Sequence, residues 1–375
     1  MKSLLLLALG MAPEAQGFDD IINGGDVPSS TYPSAGGVLV GATINWGGAE
    51  YELKMLMCSA TLIAPDVVLL AAHCVDLDYF QQMAGIEFSE VELWFSRQAD
   101  LSNYSSGFAS EWPDDAVPAW EALGHQNFNI NTLQMGLAEN DDIGLLFLDE
   151  AILDVAPAII VTESESDAIV EGAVVDIVGW GQQTDDQTPP AGTVGTKMGG
   201  ESTIGAVSAY EFQVGPGGTD VRKCHGDSGG PTYMDVDGGV RLIGVTSHAY
   251  DWTDCRETGG VDTRVDYYLD WIDDEMRSRC ESGERVWCEE EGILSPDYEG
   301  SGSSGDDSDL PSGPDDDSDV SDDDSEEGYS FLTSLGSDEE EGGCSCSAAP
   351  RADAFLWLSA LVGLVGLRRR QRPTD

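Results

Sequence analysis

Positive charge is scarce in this chain. Seventeen Lys and Arg stand against 70 Asp and Glu in 375 residues, a formal net charge of −53. Such a surface repels polyanions, which excludes nucleic acid as a partner; its acidity reads as a means of staying soluble. Histidine is scarcer still. The four are His73, His125, His225 and His248, so imidazole chemistry must use one of these. The eight cysteines are too few for a small scaffold held together by disulfides alone, although an even number suits an exported protein. Long apolar runs are also missing. The C-terminal stretch 354–367 holds 14 apolar or small residues, short of the roughly 20 that a membrane-spanning helix needs.

What is present is unevenly arranged. Lys2, an apolar run at 4–9 and small residues at Ala12, Ala15 and Gly17 read as a secretory signal over 1–17. Residues 21–280 look globular and carry 42 Asp/Glu against 10 Lys/Arg. Residues 281–343 are expected to be an acidic linker; 289–343 has 21 acids and no Lys or Arg. Its Ser, Gly, Pro and Asp cannot bury enough apolar surface to offset the entropy of ordering. Regular calcium-ligand spacing with a glycine turn is absent there. The tail 344–375 holds Cys344 and Cys346, the short hydrophobic helix 354–367 and a cluster of Arg368, Arg369, Arg370 and Arg372. It resembles the C-terminal sorting tails of myxobacterial surface proteins. The resemblance implies delivery to a membrane, a sorting protease acting near the cysteines, and a location on the bacterial cell surface or release from it.

Within the globular stretch, apolar runs recur at 37–40, 55–63, 67–72, 91–95, 143–148, 174–178 and 240–245, separated by Gly, Pro, Asn and Asp. Many short strands with turn signals predict an antiparallel sandwich or a pair of barrels. Val265, Tyr268, Leu269 and Ile272 fall at helical spacing and predict one late helix packed on the body.

A serine hydroxyl is a poor nucleophile unless a base lies within hydrogen-bond reach and a third group orients that base. Ser228 lies in GDSGGP, His73 in LLAAHCV and Asp142 in NDDIGLLFLDE; Asp141 is the alternative acid, but the DIGLL pattern selects Asp142. With GWG at 179–181, these motifs and their order resemble the chymotrypsin/trypsin-like serine proteases over 21–279. The resemblance implies two six-stranded antiparallel β-barrels with a C-terminal helix, and an endopeptidase acting on protein or peptide substrates without metal or organic cofactor. Ser228 is then the nucleophile, His73 the base and Asp142 its orienter, with the N–H groups of Gly226 and Ser228 forming the oxyanion hole.

The resemblance implies more. Cys58 and Cys74 would form the histidine-loop disulfide, and Cys224 with Cys255 would clamp the specificity pocket. Proximity alone suggests Cys280 with Cys288. FDDIINGGD resembles a zymogen cleavage segment, with 18–20 removed and the freed amine of Ile21 pairing with Asp227. At the pocket floor, where trypsin-like members carry an aspartate, this chain has Arg222, with Lys223 beside it and His225 at the rim. Ser247, His248 and Ala249 form the substrate-binding strand, His248 replacing an aromatic residue usual there, and Gly260 lines the far wall. A guanidinium in the pocket binds carboxylate and rejects cations, so cleavage after Asp or Glu is expected. Asp19 and Asp20 before Ile21 agree with that preference. Three other arrangements stay open: Arg222 turned outward, Arg222 paired with Asp220 or Asp262, and Asp220 shifted onto the floor with Lys/Arg preference. An idle binding module that keeps the triad is the alternative from another class. The insert at 99–121, with Trp112 and Trp120, covers part of the cleft or packs on the barrel.

Overall fold

The computed structural model describes residues 21, 24–46, 49–84, 87–183, 194–251 and 255–294. The expected signal, the activation segment 18–20, the linker beyond 294 and the sorting tail lie outside the described residues. Among the described residues no helix is long and apolar enough to cross a membrane.

A two-residue strand, β1 (Gly25–Asp26), precedes the first barrel. That barrel comprises β2 (Ala35–Trp46), β3 (Ala49–Ala64), β4 (Val67–Leu70), β5 (Phe88–Ser96), β6 (Val117–Gly124) and β7 (Gly144–Leu148), closed in the order β2-β3-β4-β7-β6-β5. A one-turn 3-10 segment (Ala72–Val75) and α1 (Leu77–Ala84) lie between β4 and β5. The second barrel takes β8 (Val174–Gly179), β9 (Met198–Val207), β10 (Glu211–Val214), β11 (Pro231–Val236), β12 (Gly239–Ala249) and β13 (Gly260–Arg264). Its order is β9-β10-β13-β12-β11-β8, the β8–β9 pairing closes it, and β1 is added on β9. The short helix α2 (Cys255–Thr258) leads into β13, and α3 (Leu269–Ser282) ends the domain. Two closed six-stranded antiparallel barrels with a C-terminal helix are thus the architecture expected from the motifs.

The strand VVLL of β4 and the strand GLLFL of β7 are buried at every position. They show no apolar–polar alternation because both faces are covered. Their antiparallel register pairs Leu70 with Gly144. His73 follows Leu70 by three residues and Asp142 precedes Gly144 by two, so the ladder delivers both to the same barrel end.

The late periodic stretch forms a 3-10 turn (Asp266–Tyr268) running into α3, which buries Leu269, Ile272 and Met276. Gly283, at φ +77°, caps it and donates to the carbonyl of Cys280. The domain does not stop at 280. Arg285 is buried and bonds Asp66 of the first barrel at 2.7 Å, and the Trp287 N–H donates to the same carboxylate at 3.0 Å. The expected linker boundary at 281 is therefore corrected: residues 281–294 are part of the fold, held by a buried ion pair that composition alone conceals. The insert packs on the first barrel. Trp112 stacks on Trp94 with centroids 4.7 Å apart and crowds Gly41, while Trp120 lies 5.6 Å from Phe147.

Candidate active site

Asp142 is fully buried and fully engaged. Its Oδ1 accepts the backbone N–H of His73 at 2.9 Å, and its Oδ2 lies 2.7 Å from His73 Nδ1. The Ser247 hydroxyl donates to the same Oδ2 at 2.5 Å, and Thr263 Oγ1 donates to the Asp142 carbonyl at 2.9 Å. Burial alone would raise the Asp142 pKa; the neighbouring His73 and these donors overcome it and hold the carboxyl below its ordinary value. For His73 burial works against the charged ring, yet the charge and hydrogen bond of Asp142 win and raise its pKa above 6.5. Asp141, the rejected acid, turns away to accept from Tyr268 Oη at 3.0 Å and lies 3.5 Å from His125 Nδ1.

Ser228 reaches this corner through its backbone. Its carbonyl accepts Ser59 N–H at 2.8 Å, next to Cys58, whose disulfide to Cys74 adjoins His73. The following residue must be small: at Gly229 (φ +77°) a Cβ would fall 2.4 Å from the Ser59 carbonyl oxygen and 3.2 Å from Ala71 N. The Gly229 N–H donates to Thr246, the neighbour of Ser247. Ser228 and Gly229 are thus bonded to backbone next to Cys58 and Ser247, the residues that adjoin the His73–Asp142 pair. Among the described residues the Ser228 hydroxyl makes no hydrogen bond to the imidazole, a contact that tightens with substrate in many enzymes.

Gly226 has φ +93°, and a Cβ there would lie 2.9 Å from Gly181 Cα. Around it, the N–H groups of Asp227, Gly229 and Gly230 are all bonded to carbonyls. Among the described residues those of Gly226 and Ser228 have no protein acceptor, so two donors remain for an incoming oxyanion. Asp227 is fully buried, accepts Gly181 and Cys224 N–H at 2.8 and 2.9 Å, and is pushed up to about 6 chiefly by burial. Ile21 is also buried.

The pocket residues divide. Arg222 is 3% exposed, its stem lies against Gly215, and its Nη2 donates to the Gly218 carbonyl at 3.0 Å. It has not turned outward. Asp262 is taken by Lys223, whose Nζ lies 2.9 Å from its Oδ2 and 2.7 Å from Thr232 Oγ1. Lys223 is therefore corrected from a substrate contact to a buried partner of Asp262, because an ammonium so enclosed needs a counter-charge. Asp220 accepts Gly217 N–H at 2.8 Å, capping its own turn. His225 is exposed; Ser247, His248 and Ala249 lie on β12, with Ala249 opposite Gly260. A Cβ on Gly260 would meet only the His248 carbonyl oxygen, at 3.5 Å, so that wall has room. Cys280 and Cys288 are bonded, and Cys224 is disulfide-bonded; the side chain of its expected partner Cys255 lies outside the described residues.

Sequence reasoning missed Ser59, which donates to the Gly226 carbonyl at 3.1 Å and accepts Trp180 N–H at 3.0 Å, bridging the barrels. It also missed that Ser247 holds Asp142. The available signal was a small polar residue inside an apolar strand.

The trypsin family model matches residues 38–272, more than half of the chain. The chain is 26% identical over 228 residues to Trypsin-1 of Astacus astacus, covering 57% of this chain and 86% of the relative. It is 27% identical over 246 residues to human Kallikrein-11, covering 62% and 76%. Human chymotrypsin-like elastase family member 3B is 26% identical over 301 residues, covering 74% and 98%. The double barrel, the buried Asp142–His73 pair and these matches agree: the chain belongs to the trypsin family of serine proteases.

Proposed function

We propose that the protein is an endopeptidase that hydrolyses peptide bonds after acidic residues. The observation that carries the catalytic part is the 2.7 Å contact between His73 Nδ1 and the fully buried Asp142. That bond fixes the tautomer with a proton on Nδ1 and leaves Nε2 as the base. Nε2 takes the proton of Ser228 Oγ as the hydroxyl attacks the scissile carbonyl. The carbonyl oxygen becomes an oxyanion, stabilised by the N–H groups of Gly226 and Ser228. The imidazolium, steadied by Asp142, then gives its proton to the leaving amine, and water repeats the sequence on the acyl-enzyme.

The acidic preference rests on charge. Arg222, buried six residues before Ser228, carries a guanidinium of the sign and shape that binds a substrate carboxylate. Activation follows as cleavage before Ile21, the new amine seeking the buried Asp227. The signal-like N-terminus and the Cys–helix–Arg tail support export and tethering to a cell surface.

Two measurements test this reading on the processed enzyme. Wild type should hydrolyse a generic peptide ester, and Ser228→Ala should reduce kcat to background; equal rates would refute the mechanism. A peptide library should be cut after Asp and Glu, with Arg222→Ser losing that preference. Efficient cutting after Lys alone would refute the pocket assignment and leave the mechanism standing.

A further inference from the structure

The Ser247 hydroxyl has one proton and two acceptors. Asp142 Oδ2 lies at 2.5 Å and His248 Nδ1 at 2.9 Å. On its other side His248 places Nε2 3.1 Å from the Gly136 carbonyl oxygen, which can only accept. A neutral imidazole carries one N–H. If that proton sits on Nε2 and bonds Gly136, Nδ1 is a bare lone pair and must draw the Ser247 proton away from Asp142. If it sits on Nδ1, Ser247 is free to serve Asp142, but Nε2 then opposes the Gly136 oxygen lone pair to lone pair. Only a doubly protonated ring would satisfy all three contacts.

We propose that His248 is a positioning residue which, as the Nε2–H tautomer, competes with Asp142 for the Ser247 proton and thereby sets the basicity of His73. The inference rests on the catalytic roles given above. A hydrogen bond to a carboxylate stabilises its charge and weakens its pull on a neighbouring imidazolium. Diverting the Ser247 proton therefore leaves Asp142 more basic and raises the proton affinity of His73. The same ring pins the loop carrying Gly136 to β12, so loop position and base strength share one side chain.

Burial favours the neutral ring of His248. Burial is the largest influence and lowers its pKa, as does the charge of His73; Asp142, Asp262 and the Gly136 carbonyl act in the opposite direction without prevailing. Protonation of His73 thus precedes that of His248 as pH falls, and His248 is neutral wherever His73 works as a base.

The test is nitrogen-15 NMR of the processed, histidine-labelled enzyme. Its four ring systems are assigned by substitution, and the readout needs no turnover. Wild-type His248 should carry its proton on Nε2 across the range in which His73 titrates; a proton on Nδ1 would overturn the proposal. His248→Phe should lower the His73 pKa by about half a unit, roughly threefold in proton affinity. Ser247→Ala should raise it, and adding His248→Phe to Ser247→Ala should change nothing further. An unchanged or raised pKa in His248→Phe, or a shift that persists without Ser247, would overturn the proposal. If the enzyme shows these shifts yet Ser228→Ala keeps activity, the catalytic reading fails while the proton competition stands.

Discussion

Two buried carboxylates face opposite demands at the residue scale. Asp142 must stay charged to hold an imidazolium, and it is given one ring N–H, one backbone N–H and one hydroxyl. Asp142→Asn would present an amide to His73, favour the wrong tautomer and should lower kcat about 10⁴-fold with little change in fold. The rise of kcat/KM with pH should have its midpoint above 6.5, following the raised pKa of His73. Asp262 instead balances Lys223. Asp262→Ala would strand an ammonium that is 2% exposed and should cost about 3–5 kcal/mol in urea unfolding. Replacing both partners, as Lys223→Met with Asp262→Leu, should recover most of that loss, since the unmatched charge goes with the pair.

Elements decide what was legible in the sequence. The seven apolar runs all became strands, and the His73 and Asp142 motifs, at the ends of two of them, meet at 2.7 Å. Strands β1, β6, β9, β10, β11 and β13 were missed. Their residues include Glu211, Gln213, Thr232, Asp262 and Thr263, polar groups that enter a barrel only because a partner meets each one. A sequence gives the residue and hides its partner. Glu211 illustrates this: its carboxylate on β10 accepts Ala138 N–H and Asn140 Nδ2 at 2.8 and 3.0 Å, clasping the loop that precedes Asp142. Burial, aided by Asp142 and Asp262, pushes it up to about 7 from 4.5. Its folded-state pKa is raised, so its contribution to stability is full below about 4.5 and lost as pH rises through about 7. Wild type should therefore lose more stability between those pH values than Glu211→Leu does, by on the order of 3 kcal/mol in denaturant titrations. The disulfides act on elements too. Removing Cys58–Cys74, which closes a separation of 16 residues beside His73, should cost about 3 kcal/mol by calorimetry.

For the whole molecule, a net charge of −53 is the dominant fact. Self-repulsion opposes compaction and is screened by salt over a Debye length of about 10 Å at 0.1 M. The melting temperature should rise as salt goes from about 0.01 to 1 M; a fall would mean that the ion pairs outweigh the repulsion. Against this field three cations sit on buried or half-buried carboxylates: Arg285 on Asp66, Lys223 on Asp262 and Arg279 on Glu121. All of it serves one claim, that the hydroxyl of Ser228 is activated by His73. The most direct measurement is labelling of the processed protein with a fluorophosphonate, followed by mass spectrometry of the modified peptide. The account predicts a single adduct on Ser228, abolished in His73→Ala; equal labelling without the imidazole, or an adduct elsewhere, would contradict it.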